Sequence, residues 1–169
     1  MATPLQLVTD ITVANVTNKT YSSLMTSELD FDIRQFIPYL LNQAAEESSL
    51  AFQRIYKDRY GMLRGEWRVL FHLGIYERMT AKDITDRARI HKTKVSRAVH
   101  KMQSKGYLTR VPDENDRRKE WLELTKLGRA VYEDLKRAAR DYDEALLGAF
   151  SDSEIAGLKR LLGRLGRPT

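Results

Sequence analysis

The residues of this sequence whose number and spacing indicate a chemical role are the cationic ones, lysine and arginine. Residues 82 to 119 hold twelve Lys and Arg against five Asp and Glu, which makes the net charge of this segment +7. The whole chain carries +6, so the remaining residues sum to −1. A positive charge confined to one segment is typical of a surface that contacts nucleic-acid phosphates, and it would also suit an acidic protein partner.

The sequence lacks the common motifs of catalytic and metal sites. It has three histidines and no cysteine, and no two histidines have the H-x-x-x-H spacing that places zinc ligands on one helix face. The G-x-S-x-G, P-loop and G-x-G-x-x-G motifs are also absent. We therefore expect no catalytic residue, no metal and no cofactor. Without cysteine, sensing by thiol oxidation is excluded as well.

The composition indicates one globular domain. The chain has 169 residues, of which 42% are hydrophobic and 31% charged, and its length is close to that of a single domain. No apolar run approaches the roughly 20 residues that cross a bilayer, and the N-terminus lacks the basic start and apolar stretch of a secretion signal. We expect a cytoplasmic protein with no membrane partner.

Two predicted helices precede the basic segment. From residue 32 to about residue 57 apolar side chains recur at helical spacing, and Pro38 starts or bends this helix. Residues 65 to 77 form a second helix that is apolar almost all round, so we expect it, including Trp67, Ile75 and Tyr76, at the centre of the fold. Residues 1 to 30 show no period and are interpreted as an extended N-terminal arm.

The basic segment itself begins with two short helices. Thr80 and Asp83 form a capping-box pattern that opens a helix ending near residue 88. After a tight connection, a helix from residue 92 to about 105 buries an apolar stripe, and Gly106 ends it. The stripe consists of Val95, Ala98, Val99 and Met102. The outward face then carries Lys92, Thr93, Lys94, Ser96, Arg97, His100 and Lys101.

A β-hairpin with a charged tip follows directly. Residues 107 to 111 and 121 to 124 read as strands, and between them lie Asp116, Arg117, Arg118 and Lys119. A charged tip is ordinarily a solvated turn. In this order, however, two helices and a hairpin form a winged helix-turn-helix. Its second helix would read the major groove of double-stranded DNA, and a wing arginine would enter the adjacent minor groove.

Three segments resemble the multiple antibiotic resistance regulator (MarR) family of winged-helix transcription factors. They are "TKVSRAVHKMQSKGYLTR", "NDRRKEWLELTKLG" and "WRVLFHL", and the resemblance extends over residues 32 to 165. It implies a transcriptional regulator, most often a repressor, that binds a palindromic operator as a homodimer and is released by a small-molecule effector. Two residues depart from the pattern. Arg64 replaces a small hydroxyl cap, and Arg89 occupies a turn position where glycine is common.

The C-terminal part supports a dimer. A helix is predicted from Thr125 to about residue 150, and Ser151 with Glu154 forms a capping box for a last helix. An apolar stripe runs along that last helix through Ile155, Leu158, Leu161, Leu162 and Leu165. A second subunit would cover it, or alternatively the stripe packs on the first helix of the same chain.

The predicted fold is mainly α with a small β-hairpin wing, a winged helix-turn-helix whose dimer is formed by N- and C-terminal helices. Residues 31 to 60 form the N-terminal dimerisation helix, 61 to 124 the DNA-binding lobe, and 125 to 169 the C-terminal dimerisation helices. We expect Arg97, Thr93 and Ser96 to approach bases and Lys94, Lys101 and His100 to approach phosphates. Alternatively, Arg97 forms a salt bridge that positions the helix. By resemblance, Arg118 is the minor-groove residue and Asp116 orients it, with Arg117 as the substitute.

A ligand site is implied by the resemblance, between the dimer helices and the DNA-binding lobe. Arg68 is an unusual charge in an apolar helix, beside Trp67 and one turn from His72. Arg68 would hold the carboxylate of an aromatic ligand, and Trp67, Phe71 or Tyr39 would cover its ring. The alternative is structural, because a buried arginine is rarely unpaired and Arg68 could pair with Glu46 or Glu47.

Overall fold

The computed structural model describes residues 31–116 and 118–166. The N-terminal arm predicted for residues 1–30 and the wing role of Arg117 lie outside the described residues. By its internal contacts the chain divides into two units, residues 1–45 and 46–169. The elements in chain order are α1 Ile37–Tyr60, α2 Arg64–Tyr76, β1 Arg78–Met79, α3 Ala81–Ala88, α4 Lys92–Ser104, β2 Leu108–Pro112, β3 Glu120–Leu124, α5 Lys126–Leu147 and α6 Asp152–Leu165.

The described part of the first unit begins with a short 3₁₀ turn, Ile33–Gln35. Asp32 caps this turn by accepting a hydrogen bond from the backbone N–H of Arg34 at 2.9 Å. Pro38 is the second residue of α1, where its missing N–H costs nothing, so it starts the helix and does not bend it. Large apolar side chains of this unit are exposed, namely Phe31, Ile33, Phe36, Ile37, Leu40 and Leu41.

The wing belongs to a three-stranded antiparallel sheet in the order β1-β3-β2. Strands β2 and β3 form the predicted hairpin, with Leu108 opposite Leu124 and Pro112 opposite Glu120. Strand β1 was not predicted. It has only two residues, too few to show an alternating pattern, and it exists because it pairs with β3 through Met79 opposite Leu122.

Helix α2 lies in the core, as predicted, but it is not buried on every face. Val69, Leu70 and Leu73 have no exposed surface, whereas Trp67 is only partly buried. The expectation of burial was wrong for Ile75 and Tyr76, which are 60% and 47% exposed. Both lie in the last turn of α2, where an apolar composition does not guarantee a covering element. The guanidinium of Arg87 stacks on the Tyr76 ring instead, at 4.4 Å.

The chain turns in the helix-turn-helix follow local chemistry. The capping box at Thr80 and Asp83 is present with both of its hydrogen bonds. Arg89 adopts the left-handed conformation, with φ 51°, which explains why a glycine is favoured there. Gly106 ends α4 with φ 72°. Arg64 does not occupy the cap position of α2, because Leu63 is the N-cap and makes no side-chain hydrogen bond.

The C-terminal helices begin as predicted. Thr125 caps α5 by accepting from the N–H of Gly128 at 3.0 Å, and Ser151 and Glu154 form the capping box of α6. The predicted apolar stripe of α6 remains largely exposed, because Leu158, Leu161, Leu162 and Leu165 keep 45%, 51%, 45% and 61% of their surface. Within residues 31–116 and 118–166, this is apolar surface without cover.

Gly128→Ala is expected to destabilise the fold. A Cβ at this position would collide with the backbone carbonyl of Tyr107, which cannot move as a flexible side chain would. Overpacking of this kind costs about 1–3 kcal/mol in the free energy of unfolding. Denaturant unfolding followed by circular dichroism measures it.

Gly157→Ala is the matched control, because Gly157 lies within α6 and, apart from its chain neighbours and the nearby backbone of α6, no atom of the described residues comes within 4 Å of the position that a Cβ would occupy. This change should be neutral or stabilise by roughly 0.5–1 kcal/mol. Equal stability of the two variants would contradict the close approach of α5 to Tyr107.

Candidate nucleic-acid interface

The outward face of α4 is the larger part of the candidate site. Val95, Ala98, Val99 and Met102 are buried, as predicted. Since the helical period then fixes the opposite face, every predicted contact residue of α4 is exposed: Lys92, Thr93, Lys94, Ser96, Arg97, His100 and Lys101. The packing of one face therefore brings all seven to the surface together.

His91 caps the start of α4. Its Nδ1 accepts a hydrogen bond from the backbone N–H of Thr93 at 3.3 Å, which requires that this ring nitrogen carry no proton. The unpaired N–H groups and the positive end of the helix dipole lie at the same end as Lys92 and Lys94. Both features favour an anion such as a DNA phosphate at the start of α4.

The cations of α4 differ in their partners. Lys94 and Arg97 form no ion pair with any residue in the described ranges, so the predicted alternative of a positioning salt bridge for Arg97 is not found there. The Lys101 ammonium lies 3.3 Å from the Glu66 carboxylate. Arg97 is thus available to a base edge, whereas Lys101 already has a counter-charge.

Asp113 organises the wing tip, a role that was not predicted from the sequence. Its Oδ1 accepts the backbone N–H groups of Asn115 and Asp116, each at 3.0 Å, and its Oδ2 accepts the Trp121 indole N–H at 2.7 Å. The Trp121 hydrogen bond, followed by that of Asn115, holds the pKa of Asp113 below its usual value. The aspartate and asparagine after Pro112 are typical of such a turn and could have indicated it.

The wing cations are placed differently from one another. Arg118 is exposed, and its guanidinium has no ion-pair partner among residues 31–116 and 118–166. Asp116 does orient it, but through the backbone, because its Oδ1 accepts the Arg118 N–H at 3.0 Å. The Lys119 ammonium lies 4.0 Å from the centre of the Trp121 ring, and Arg78 lies 4.9 Å from the same ring. Lys119 therefore braces the wing beside Trp121.

A cleft of about 750 Å³ connects the wing to the start of α3. Its cationic lining residues are Lys82, Arg110, Arg118 and Lys119, and its acidic ones are Asp83, Asp116 and Glu120. Arg110 is held by Glu120 at 2.6 Å and Gln103 at 3.0 Å. The wing and the helix-turn-helix therefore present one continuous charged surface.

The predicted ligand residues are only partly brought together. Trp67 and Phe71 line a cavity of about 380 Å³, with Ser48, Ser49, Phe52, Ala139, Tyr142, Asp143 and Leu146. Arg68 and His72 do not line this cavity, and Tyr39 belongs to the first unit. The Nδ1 of His72 lies 2.8 Å from the backbone carbonyl of Arg68 and would donate to it.

The structural alternative for Arg68 is wrong. Glu46 pairs with Arg64 at 3.1 Å, and Arg68 forms no ion pair within the described part of the chain. Close by, Tyr56 is fully buried and its hydroxyl makes no well-formed hydrogen bond to the described residues. Burial raises the pKa of Tyr56, against opposing effects of Trp67 and Arg64. The Arg68 guanidinium is a suitable group for an acidic ligand, whereas the buried Tyr56 hydroxyl lines no part of the cavity.

Within residues 31–116 and 118–166, no cluster of His, Asp or Glu could hold a metal ion. No helix in these ranges is both long and apolar enough to span a bilayer.

Comparison with known proteins assigns the family. The MarR family model matches residues 60–119. A MarR family transcriptional regulator from Silicibacter pomeroyi DSS-3 is 30% identical with a TM-score of 0.68, over 80% of this chain and 98% of that chain. A MarR/EmrR family regulator from Acinetobacter sp. ADP1 is 27% identical with a TM-score of 0.73, over 80% and 95% of the two chains.

A curated relative agrees with these structures. The homoprotocatechuate degradative operon repressor of Escherichia coli is 29% identical over 101 residues, which are 60% of this chain and 66% of that protein. The region matched by the family model contains α4 and β2 and ends directly before β3. The chain therefore belongs to the MarR family of winged-helix transcriptional regulators.

Proposed function

We propose that this regulator binds a palindromic operator in double-stranded DNA as a homodimer, represses transcription from it, and is released by a small ligand. The observation that carries the proposal is the exposed face of α4, where Lys92, Lys94 and Arg97 stand without ion-pair partners in the described ranges. Cations in such a row interact favourably with phosphates and bases. DNA binding therefore explains this face without any catalytic reaction. A protein of related fold at 21% identity, a mutant MarR from Escherichia coli, has been crystallised with operator DNA.

The proposed role of each residue follows from its donor groups and its position on the surface. Arg97 has the forked donor geometry that recognises guanine in the major groove, with Thr93 and Ser96 beside it on the same face. Lys92, Lys94 and His100 would contact phosphates and orient the helix. Arg118, exposed at the wing tip and ordered through Asp116, would enter the minor groove.

A homodimer explains the exposed apolar side chains. Leu158, Leu161 and Leu162 of α6 keep about half of their surface exposed, which favours cover by a second subunit over packing within one chain. The twofold axis of a homodimer also matches a palindromic site.

An aromatic carboxylate is the ligand class that the chain suits best. NadR in complex with 4-hydroxyphenylacetate and BpsR, regulated by 6-hydroxynicotinic acid, share this fold at 22% and 19% identity. In this chain Arg68 lacks an ion-pair partner among the described residues and adjoins Trp67, whose ring borders the cavity with Phe71. Asp143 lines that cavity and Arg68 does not, so the proposal places the ligand's carboxylate outside the cavity, on the Arg68 side of Trp67.

Arg97→Ala should weaken operator binding and relax sequence preference. The expected loss is about 1–3 kcal/mol, because a bidentate arginine–base contact contributes that much discrimination. Lys94→Ala is the matched control, since loss of a phosphate contact weakens operator and random DNA alike. Fluorescence anisotropy with labelled operator and scrambled duplexes measures both variants. If the wild-type chain bound an acidic protein and no DNA, that result would favour the alternative function, in which the winged helix binds an acidic protein partner.

Leu161→Asp should shift the homodimer toward monomer. The charge would lie in the apolar stripe of α6, where burial against a second subunit is unfavourable for a carboxylate. Arg160→Asp introduces the same side chain on the opposite face of α6 and should leave the dimer intact. Sedimentation velocity at micromolar concentration measures both, and a wild-type monomer would exclude the proposed arrangement.

Footprinting of the operator with the wild-type chain should show two protected half-sites ~34 Å apart.

Arg68→Met should weaken binding of an aromatic acid by tenfold or more, about 1.4 kcal/mol, and leave operator affinity intact. The reason is that the variant keeps the aliphatic stem and removes the charge that holds the carboxylate. A thermal-shift screen of aromatic acids identifies the ligand first, because a ligand of the native state raises Tm. Unchanged ligand affinity in the folded variant would place the site elsewhere.

A further inference from the structure

Glu66 is the one charged side chain in the described ranges that is almost fully buried, with 2% of its surface exposed. It lies in the first turn of α2, immediately before Trp67. A buried carboxylate is unfavourable unless it is paired. Its partners therefore indicate what holds α2 in place.

Both partners of Glu66 come from α4 or the residue that ends it. The Lys101 ammonium lies 3.3 Å from Oε1, and the Lys105 ammonium lies 3.4 Å from Oε2. Lys105 also donates to the backbone carbonyls of Tyr60 and Gly61, each at 3.0 Å, at the end of α1. Lys105 is thus fixed by three acceptors, whereas Lys101 has only Glu66 and keeps 47% of its side chain exposed.

Lys101 stands on the same outward face of α4 as Lys94 and Arg97. A phosphate on that face could compete for its ammonium. The buried carboxylate has the advantage, because opposite charges attract more strongly where water is excluded. Glu66 also lies in the first turn of α2, at the positive end of the helix dipole.

We propose that Glu66 withholds Lys101 from the DNA backbone and so lowers affinity for DNA of any sequence. This inference rests on the proposed DNA-binding function. Phosphate contacts add affinity without sequence information, and the many non-specific sites of a genome compete with the operator. Pairing Lys101 internally therefore reduces the affinity for operator and non-specific DNA alike, and it keeps α4 anchored on α2.

Glu66→Gln tests the inference, because glutamine keeps the size and hydrogen-bonding capacity of the side chain and removes its charge. Lys101 should then contact a phosphate. For a random-sequence duplex, the slope of log K against log salt should become steeper by about 0.9, the value for one added phosphate contact. Random and operator DNA should both bind more tightly at low salt, by similar factors, because a phosphate contact carries no sequence information.

The double variant Glu66→Gln/Lys101→Ala is the control, and its slope should return to that of the wild type. A merely structural role of Glu66 would weaken binding to all DNA without a steeper slope, which would overturn the proposal. A double variant with a slope shallower than that of the wild type would also overturn it, because Lys101 would then already contact phosphate. Absence of DNA binding by the wild-type chain would instead refute the proposed function, and this inference with it.

The wild-type protein offers a second test if Glu66→Gln does not fold. The side-chain ammonium resonances of Lys94 and Lys101 are followed by NMR as random-sequence duplex is added. The Lys94 resonance should shift, and the Lys101 resonance should stay at its position in the free protein. A shift of both on the same titration would contradict the withholding of Lys101.

Discussion

The packing of α4 on α2 is the constraint on which the candidate interface depends. Val95, Val99 and Met102 are buried against a core that includes Val69 and Leu70. Because an α-helix has a fixed period, burying this stripe leaves no freedom in the direction of the opposite face. The cations of α4 are therefore directed outward by apolar contacts, and no specific interaction of the cations themselves is needed to place them.

Charge pairing decides how much of the basic segment is available to DNA. The net charge of +7 over residues 82 to 119 overstates that amount, since several cations are already paired: Lys82 with Asp86, Lys101 and Lys105 with Glu66, and Arg110 with Glu120. Of the cations without a described ion-pair partner, Arg87 stacks on the Tyr76 ring and Arg89 donates to the backbone carbonyl of Gly166. The others lie at the start and middle of α4 and at the wing tip. Free charge is thus concentrated at the two places where a winged helix meets DNA.

Local patterns made most of the fold predictable. The capping boxes at Thr80 and Ser151 and the apolar stripe of α4 depend on residues within one or two turns, so a single sequence shows them. Features between distant segments were missed. Strand β1 forms only because β3, which follows two helices and another strand later, pairs with it through Met79 and Leu122. The pairing of Glu66 with Lys101 likewise has no local signature.

Helix α2 links the two functions proposed for the chain. Glu66, which holds α4, and Trp67, which borders the candidate ligand cavity, are consecutive residues of one rigid helix turn. A ligand can shift the DNA-binding equilibrium only by binding two arrangements of the protein unequally. Any displacement of Trp67 would also move Glu66, whose buried charge cannot lose its lysines without a large penalty. The lysines, and α4 with them, would follow α2, so a small movement at the candidate cavity would change the position of α4.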